Sequence, residues 1–166
     1  YASCNGFSSQ KVMKGVAVKN QMWIEMAAHH DQTPYHLMLL GGDQVYADSI
    51  WEVVSSIKAW NKLPNAKANK ATFTKQMQSQ VEKFYFDLYT ERWDQPEVAL
   101  MMATVPAISM WDDHDIFDGW GSYPAERQNC DVFQGIGAIA KHAFGVFQQH
   151  LSPETEKPAF YLAPDH

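Results

Sequence analysis

Val105-Pro106-Ala107-Ile108-Ser109-Met110-Trp111-Asp112-Asp113-His114-Asp115-Ile116-Phe117-Asp118-Gly119-Trp120-Gly121 is the stretch whose reading decides the fold. Its first six residues have the length and composition of a buried strand. Polarity then switches abruptly, with four carboxylates and an imidazole between Asp112 and Asp118. Carboxylates this dense repel one another unless a cation or a shared proton compensates them. Ligand sites of α/β sheets lie at the carboxyl ends of strands, so a metal site is the first expectation here.

Working outward, the chain supplies two more strand ends. His36-Leu37-Met38-Leu39-Leu40 is a compact apolar run fitting a strand buried on both faces, and it ends in Gly41-Gly42-Asp43. Tyr1 to Cys4 is a short strand candidate closed by the turn signal Asn5-Gly6. Between the strands the spacing predicts helices. One covers Val18 to His29, with Met22, Trp23 and Met26 on its apolar side. Ser49-x-x-Glu52 has capping-box form and should open a second over Ile50 to Trp60. Asn61 to Lys70 reads as a surface connection. Phe73, Met77, Val81, Phe84 and Leu88 form the stripe of a long helix ending before Asp94. Pro96 suits the first turn of the next helix, through Met102. Phe133, Ile136, Ala140, Phe144 and Phe147 mark a further one, and Phe160 to Leu162 leaves room for a short strand. The expected class is α/β: a mostly parallel sheet with flanking crossover helices in a single domain.

Composition narrows the function. At 166 residues, 46% hydrophobic and 19% charged, the chain is a globular domain. A net charge of -6 argues against a nucleic-acid surface, which needs Lys and Arg for phosphate backbones. No apolar run approaches the roughly 20 residues that span a bilayer. No signal peptide is legible, and the opening at Tyr1 without an initiator Met reads as truncated, so the compartment stays open, with the cytoplasm compatible. Cys4 and Cys130 make no metal-type pair, and the oligomeric state is not legible.

Parallel strands bring Cys4-Asn5, Asp43 and Asp112-Asp113-His114 to one sheet edge. Asp43 and Tyr46, three residues apart, are hard oxygen donors; a phenolate best matches a trivalent metal, and Cys4 adds a thiolate. Bland readings stand beside these. Asp43 after two glycines can be a turn residue, Tyr46 a packed aromatic, and Cys4 a small buried hydrophobe. Asp48 reads as a helix-start residue and Asp118 as turn chemistry; Arg127 is a candidate phosphate contact that nothing marks above a surface cation. His29, His30 and His36 are weak ligand candidates. An EF-hand fails, because Phe117 and Pro124 occupy ligand positions.

Gly42-Asp43-x-x-Tyr46-Ala47-Asp48 resembles the second motif of calcineurin-like metallophosphoesterases, in the Tyr-bearing form of purple acid phosphatases. Trp111-Asp112-Asp113-His114-Asp115 resembles the PhoD-like branch, as do Ser3-Cys4-Asn5 and Asp118-Gly119-Trp120-Gly121-Ser122-Tyr123-Pro124. The resemblance runs from Tyr1 to about Gln149. It implies a layered metallophosphoesterase sandwich and hydrolysis of a phosphoester, mono- or diester, at a dinuclear centre. It implies two or more metal ions, iron plus calcium or another divalent cation. Asp43 would bridge them, Tyr46 and Cys4 would hold the iron-type ion, and Asp113 the other. His114 would be the general acid or a phosphate contact. Members also carry histidine ligands on a later Gly-Asp-x-His-type motif, absent here. The resemblance thus implies the N-terminal part of a larger catalytic domain continuing past His166, inactive when isolated. The rival expectations are a metal- or phosphate-binding module without turnover, and an inert interaction domain.

Overall fold

A pair of short parallel strands organises the computed structural model, which describes residues 1–7 and 10–152. In chain order the elements are helices α1 (Gln10–Lys14) and α2 (Gln21–Gln32), then strand β1 (Met38–Gly41). Helices α3 (Ile50–Val53), α4 (Ser55–Asn61), α5 (Asn65–Ala68), α6 (Lys75–Trp93) and α7 (Pro96–Thr104) come next. Strand β2 (Ala107–Met110) follows, then α8 (Ala125–Gln128) and α9 (Asp131–Phe147). The register pairs Met38 with Ala107 and Gly41 with Met110, in parallel. Ala2 adds a parallel bridge to Leu40 on the other edge of β1. The class is therefore mixed α/β, with a small parallel sheet and flanking helices.

Two apolar clusters hold these elements. The smaller packs Trp23 of α2 and Val98 and Met101 of α7 under Met38, Leu40 and Val105, on one face of the sheet. The larger lies between α3, α4, α6 and α9, where Val81, Tyr85, Phe133 and Ile136 are almost completely buried. Thr74 caps α6, its Oγ1 accepting from the Met77 N–H at 3.2 Å. Gly135 and Gly137 are tolerated in α9 because aromatic rings pack where a side chain would stand. A Cβ at Gly135 would lie 2.3 Å from the Phe73 ring, and one at Gly137 would lie 2.5 Å from Trp120.

Several expectations need correction. The sheet is not buried on both faces: Leu39 is 45% exposed, Ile108 51% and Met110 68%. Only one face has helices against it among the described residues, and period-two side chains on the other face point away from them. The helix expected over Ile50 to Trp60 breaks at Val54, whose backbone is extended, giving α3 and α4. Ser49 makes no side-chain cap because it sits in a 3-10 turn with helical dihedrals. The first long helix starts at Gln21, and Met22 faces outward at 72% exposure. The Tyr1–Cys4 segment pairs through a single bridge. The expected strand at Phe160 to Leu162 lies outside the described residues.

Candidate metal centre

Because Ala2, β1 and β2 run parallel, their carboxyl ends open onto one edge. The N-terminal segment follows β1 past its end: Cys4 N–H donates to Gly42 O at 3.2 Å and Asn5 N–H to Asp43 O at 2.7 Å. The chain turns sharply there. Gly42 has φ +96°, and a Cβ on it would lie 2.6 Å from the Asp112 Cβ. Cys4 (φ +56°) and Asp43 (φ +53°) also occupy the left-handed region, which costs a non-glycine residue roughly 1–2 kcal/mol. Such strain persists only where surroundings over-determine it.

Asp115 does that. Its carboxylate is 1% exposed and accepts from three consecutive backbone N–H groups of the Asp43 turn. Oδ2 takes Asp43 N–H at 2.8 Å, and Oδ1 takes Gln44 and Val45 N–H at 3.0 and 3.2 Å. Asp112 N–H also reaches Oδ2 at 3.0 Å, closing a capping box with Asp112, whose own carboxylate accepts from Asp113 N–H. Gln148 Nε2, just past α9, donates to Oδ1 at 3.1 Å and to Tyr89 OH at 2.9 Å. Tyr85 OH on α6 donates to Ile116 O at 2.5 Å. One buried carboxylate thus locks both motif loops together, and two helices fix it.

Asp43, Asp113 and His114 each present a ligand atom within 4.8 Å of the others. Cys4 Sγ stands 3.6 Å from Asp43 Oδ2. The other oxygen, Asp43 Oδ1, is buried without a hydrogen-bond partner among the described residues. Burial pushes the Asp43 pKa up; His114 and Cys4 oppose this, and the Asp112 and Asp113 carboxylates add to it. An orphaned, crowded carboxylate oxygen is what a cation would satisfy, so the residues present fit a hard metal ion. Tyr46 is half-buried beside this group. Burial, then the negative charge of Asp43 and Cys4, push its phenol up to about 12, so it needs a cation to ionise near neutrality.

His114 is held from behind. Its Nδ1 lies 2.8 Å from Asp48 Oδ2, and its ring stacks on Tyr46 with centroids 4.4 Å apart. Asp48 Oδ1 also accepts Asp118 N–H at 2.8 Å, so the loop after the motif closes over the pair. Burial disfavours the imidazolium, but the Asp48 hydrogen bond and the Asp48, Asp113 and Asp43 charges outweigh it, raising the pKa. Asp113 Oδ2 accepts Gly119 N–H.

Against this geometry, the sequence profile of the PhoD related phosphatases matches residues 2–158. The chain belongs to the PhoD-related phosphatase family. An uncharacterized protein of Saccharomyces cerevisiae is 34% identical over 90% of the chain, and the match spans 23% of that relative. The chain thus covers about a quarter of that curated relative's length. No solved structure matches it.

The family chain brings Cys4, Asp43, Tyr46, Asp113 and His114 to one strand edge. Sequence reasoning missed two residues that shape the edge. Asp48 does not merely start a helix: it anchors His114. Asp115 is a buried clasp rather than another acid of the cluster, and the Asp112-x-x-Asp115 spacing was the available signal. The Arg127 guanidinium lies 4.1 Å from the Trp60 ring centroid and 5.0 Å from that of Phe133, and it donates to Asn69 Oδ1 and Asn61 Oδ1 at 3.1 and 3.3 Å. His29 and His30 stack on Tyr35, away from the edge.

Proposed function

We propose that this chain carries part of the active site of a metal-dependent phosphoester hydrolase. The observation that carries the reading is the Asp43 carboxylate, which offers one oxygen within 4.8 Å of ligand atoms of Asp113 and His114 and keeps Oδ1 unpartnered among the described residues, in a member of a phosphatase family. Asp43, Tyr46, Cys4 and Asp113 would hold two cations, iron with calcium or another divalent ion, and ligands outside this stretch would complete them. When bound, such ions neutralise phosphoryl charge and acidify water. The chain's residues supply the rest. Asp48 fixes the imidazole of His114 through Nδ1 and stabilises its charged form, leaving Nε2 as the outward donor, 3.9 Å from the exposed Asp118 carboxylate. From there His114 protonates the leaving oxygen. Asp115 keeps the Asp43 turn in its left-handed shape. The sheet is read as one layer of a sandwich; the exposed apolar face of Leu37, Leu39, Ile108 and Met110 supports a second layer there.

The test is turnover of aryl phosphates by the complete, metal-loaded protein. His114→Ala should keep metal content and slow turnover of a poor leaving group by roughly 100-fold or more. The defect should shrink for 4-nitrophenyl phosphate, whose leaving group needs no proton. Metal binding without turnover would make the site a binding module, and loss of metal on removing His114 would make it a ligand.

A further inference from the structure

Arg92, in the last turn of α6, is a half-buried cation whose partners are neutral. Its Nη1 donates to Asn20 Oδ1 at 2.9 Å and its Nη2 donates to Asn5 Oδ1. Its Nε is buried with no hydrogen-bond partner among the described residues, and so is Asn5 Nδ2. Arg92 has no carboxylate partner among the described residues. Burial lowers its pKa, and no neighbouring charge offsets that. Two amide oxygens orient the guanidinium fork but do not neutralise it, and a buried charge left unpaired is costly. An apolar side chain would fill the same space at less cost, so packing alone does not account for an arginine here.

Its surroundings show what the charge can face. Arg92, Asn5 and Lys19 line a pocket of about 600 Å³ that extends to Tyr46 and Asp48, the residues that contact His114. The same three line a neighbouring pocket of about 630 Å³ that reaches Cys4. Asn5 is also tied to the site directly, since its N–H donates to Asp43 O. Glu52 and Glu91 line the first pocket too, but neither pairs with Arg92. Arg92 and Asn5, the one unneutralised and the other with an unpartnered amide among the described residues, therefore line a cavity shared with Tyr46 and Asp48 beside His114.

We propose that Arg92, Asn5 and Lys19 form a subsite for a second anionic group, distinct from the phosphoryl group that is transferred. The inference rests on the phosphoesterase reading and deepens it: the substrates are phosphoesters bearing another phosphate or carboxylate. Arg92 would supply the guanidinium fork, Asn5 its amide, and Lys19 an exposed ammonium on the same lining.

Two measurements test this. In the complete, metal-loaded protein, kcat/KM is compared for phenyl phosphate and for 1,3- and 1,4-phenylene bisphosphate. The expected preference for a bisphosphate is roughly 10- to 100-fold, the size of a charge-assisted contact. Arg92→Met should reduce that ratio to about two, the statistical factor, and Arg92→Lys should restore part of it. Lys19 is exposed, so Lys19→Gln decides the matter if the Arg92 variants fail to fold; it should lower the ratio several-fold. A wild-type ratio near two, or one unchanged in the variants, overturns the proposal. The second arm is calorimetric binding of inorganic pyrophosphate to the metal-free protein. If no phosphoester is turned over, the hydrolase reading fails, yet Arg92-dependent pyrophosphate binding still supports the anion subsite. Binding that is absent, or indifferent to Arg92→Met, removes it.

Discussion

Asp115→Asn is the most searching perturbation of the site, because it alters one atom of a carboxylate that touches no solvent. The aspartate accepts five N–H donors, three on Oδ1 and two on Oδ2. In the variant an amide NH2 must replace one oxygen and then faces donors. The cheaper orientation puts it in the Oδ2 place, orphaning Asp43 N–H and Asp112 N–H. Each buried donor left unpaired costs about 1–3 kcal/mol. Burial itself raises the Asp115 pKa against those donors, so removing the charge returns part of the loss. The net expectation is about 2–4 kcal/mol, a large share of the 5–15 kcal/mol that holds a domain together. For a chain of this size that lowers Tm by roughly 5–15 °C. Thermal unfolding of the metal-free protein reads it, with Glu126→Gln, at an exposed site on α8, as a control expected within about 0.5 kcal/mol. Metal titration reads the second consequence: without its N–H anchored, the Asp43 turn should relax from its left-handed shape and affinity should fall. A Tm within 2–3 °C of wild type (under about 1 kcal/mol) together with unchanged metal affinity would refute the clasp.

Three further outcomes follow from the same geometry. Gly42→Ala puts a methyl group against Asp112 at a φ that side chains rarely adopt, and should cost about 1–3 kcal/mol by thermal unfolding; a neutral result would mean the turn is freely remodelled. Arg127→Ala loses its stacking on Trp60 and Phe133 and should cost about 1–2 kcal/mol, with aryl phosphate turnover by the complete protein unchanged; a raised KM would give it a substrate role. The folded-state pKa of His114 is raised, so its pairing stabilises the metal-free protein fully below about 6.5, the unfolded value, and is lost as pH climbs through the folded one. Tm measured across pH 6 to 8 should therefore fall more in wild type than in His114→Gln, and equal slopes would dissolve the Asp48–His114 pair.

Local rules made the long elements legible from sequence. The α6 stripe from Met77 to Leu88, the Pro96 start of α7 and the α9 periodicity depend on neighbours three and four residues away, and all three helices formed close to where the spacing puts them. The convergence of Cys4, Asp43 and Asp113-His114 was also legible, because parallel strands necessarily present their carboxyl ends on one edge. Tertiary structure decided what depends on contacts between distant segments. Which face of the sheet is covered follows from where α2 and α7 pack, which the apolar runs around Leu39 and Ile108 do not encode. Asp48 is a turn residue until the fold brings His114, 66 residues later, within 2.8 Å. Asp115 is one acid among several until the Asp43 turn points three N–H groups at it. Short-range periodicity is written in the chain; a hydrogen bond between remote loops exists only once both are held in place.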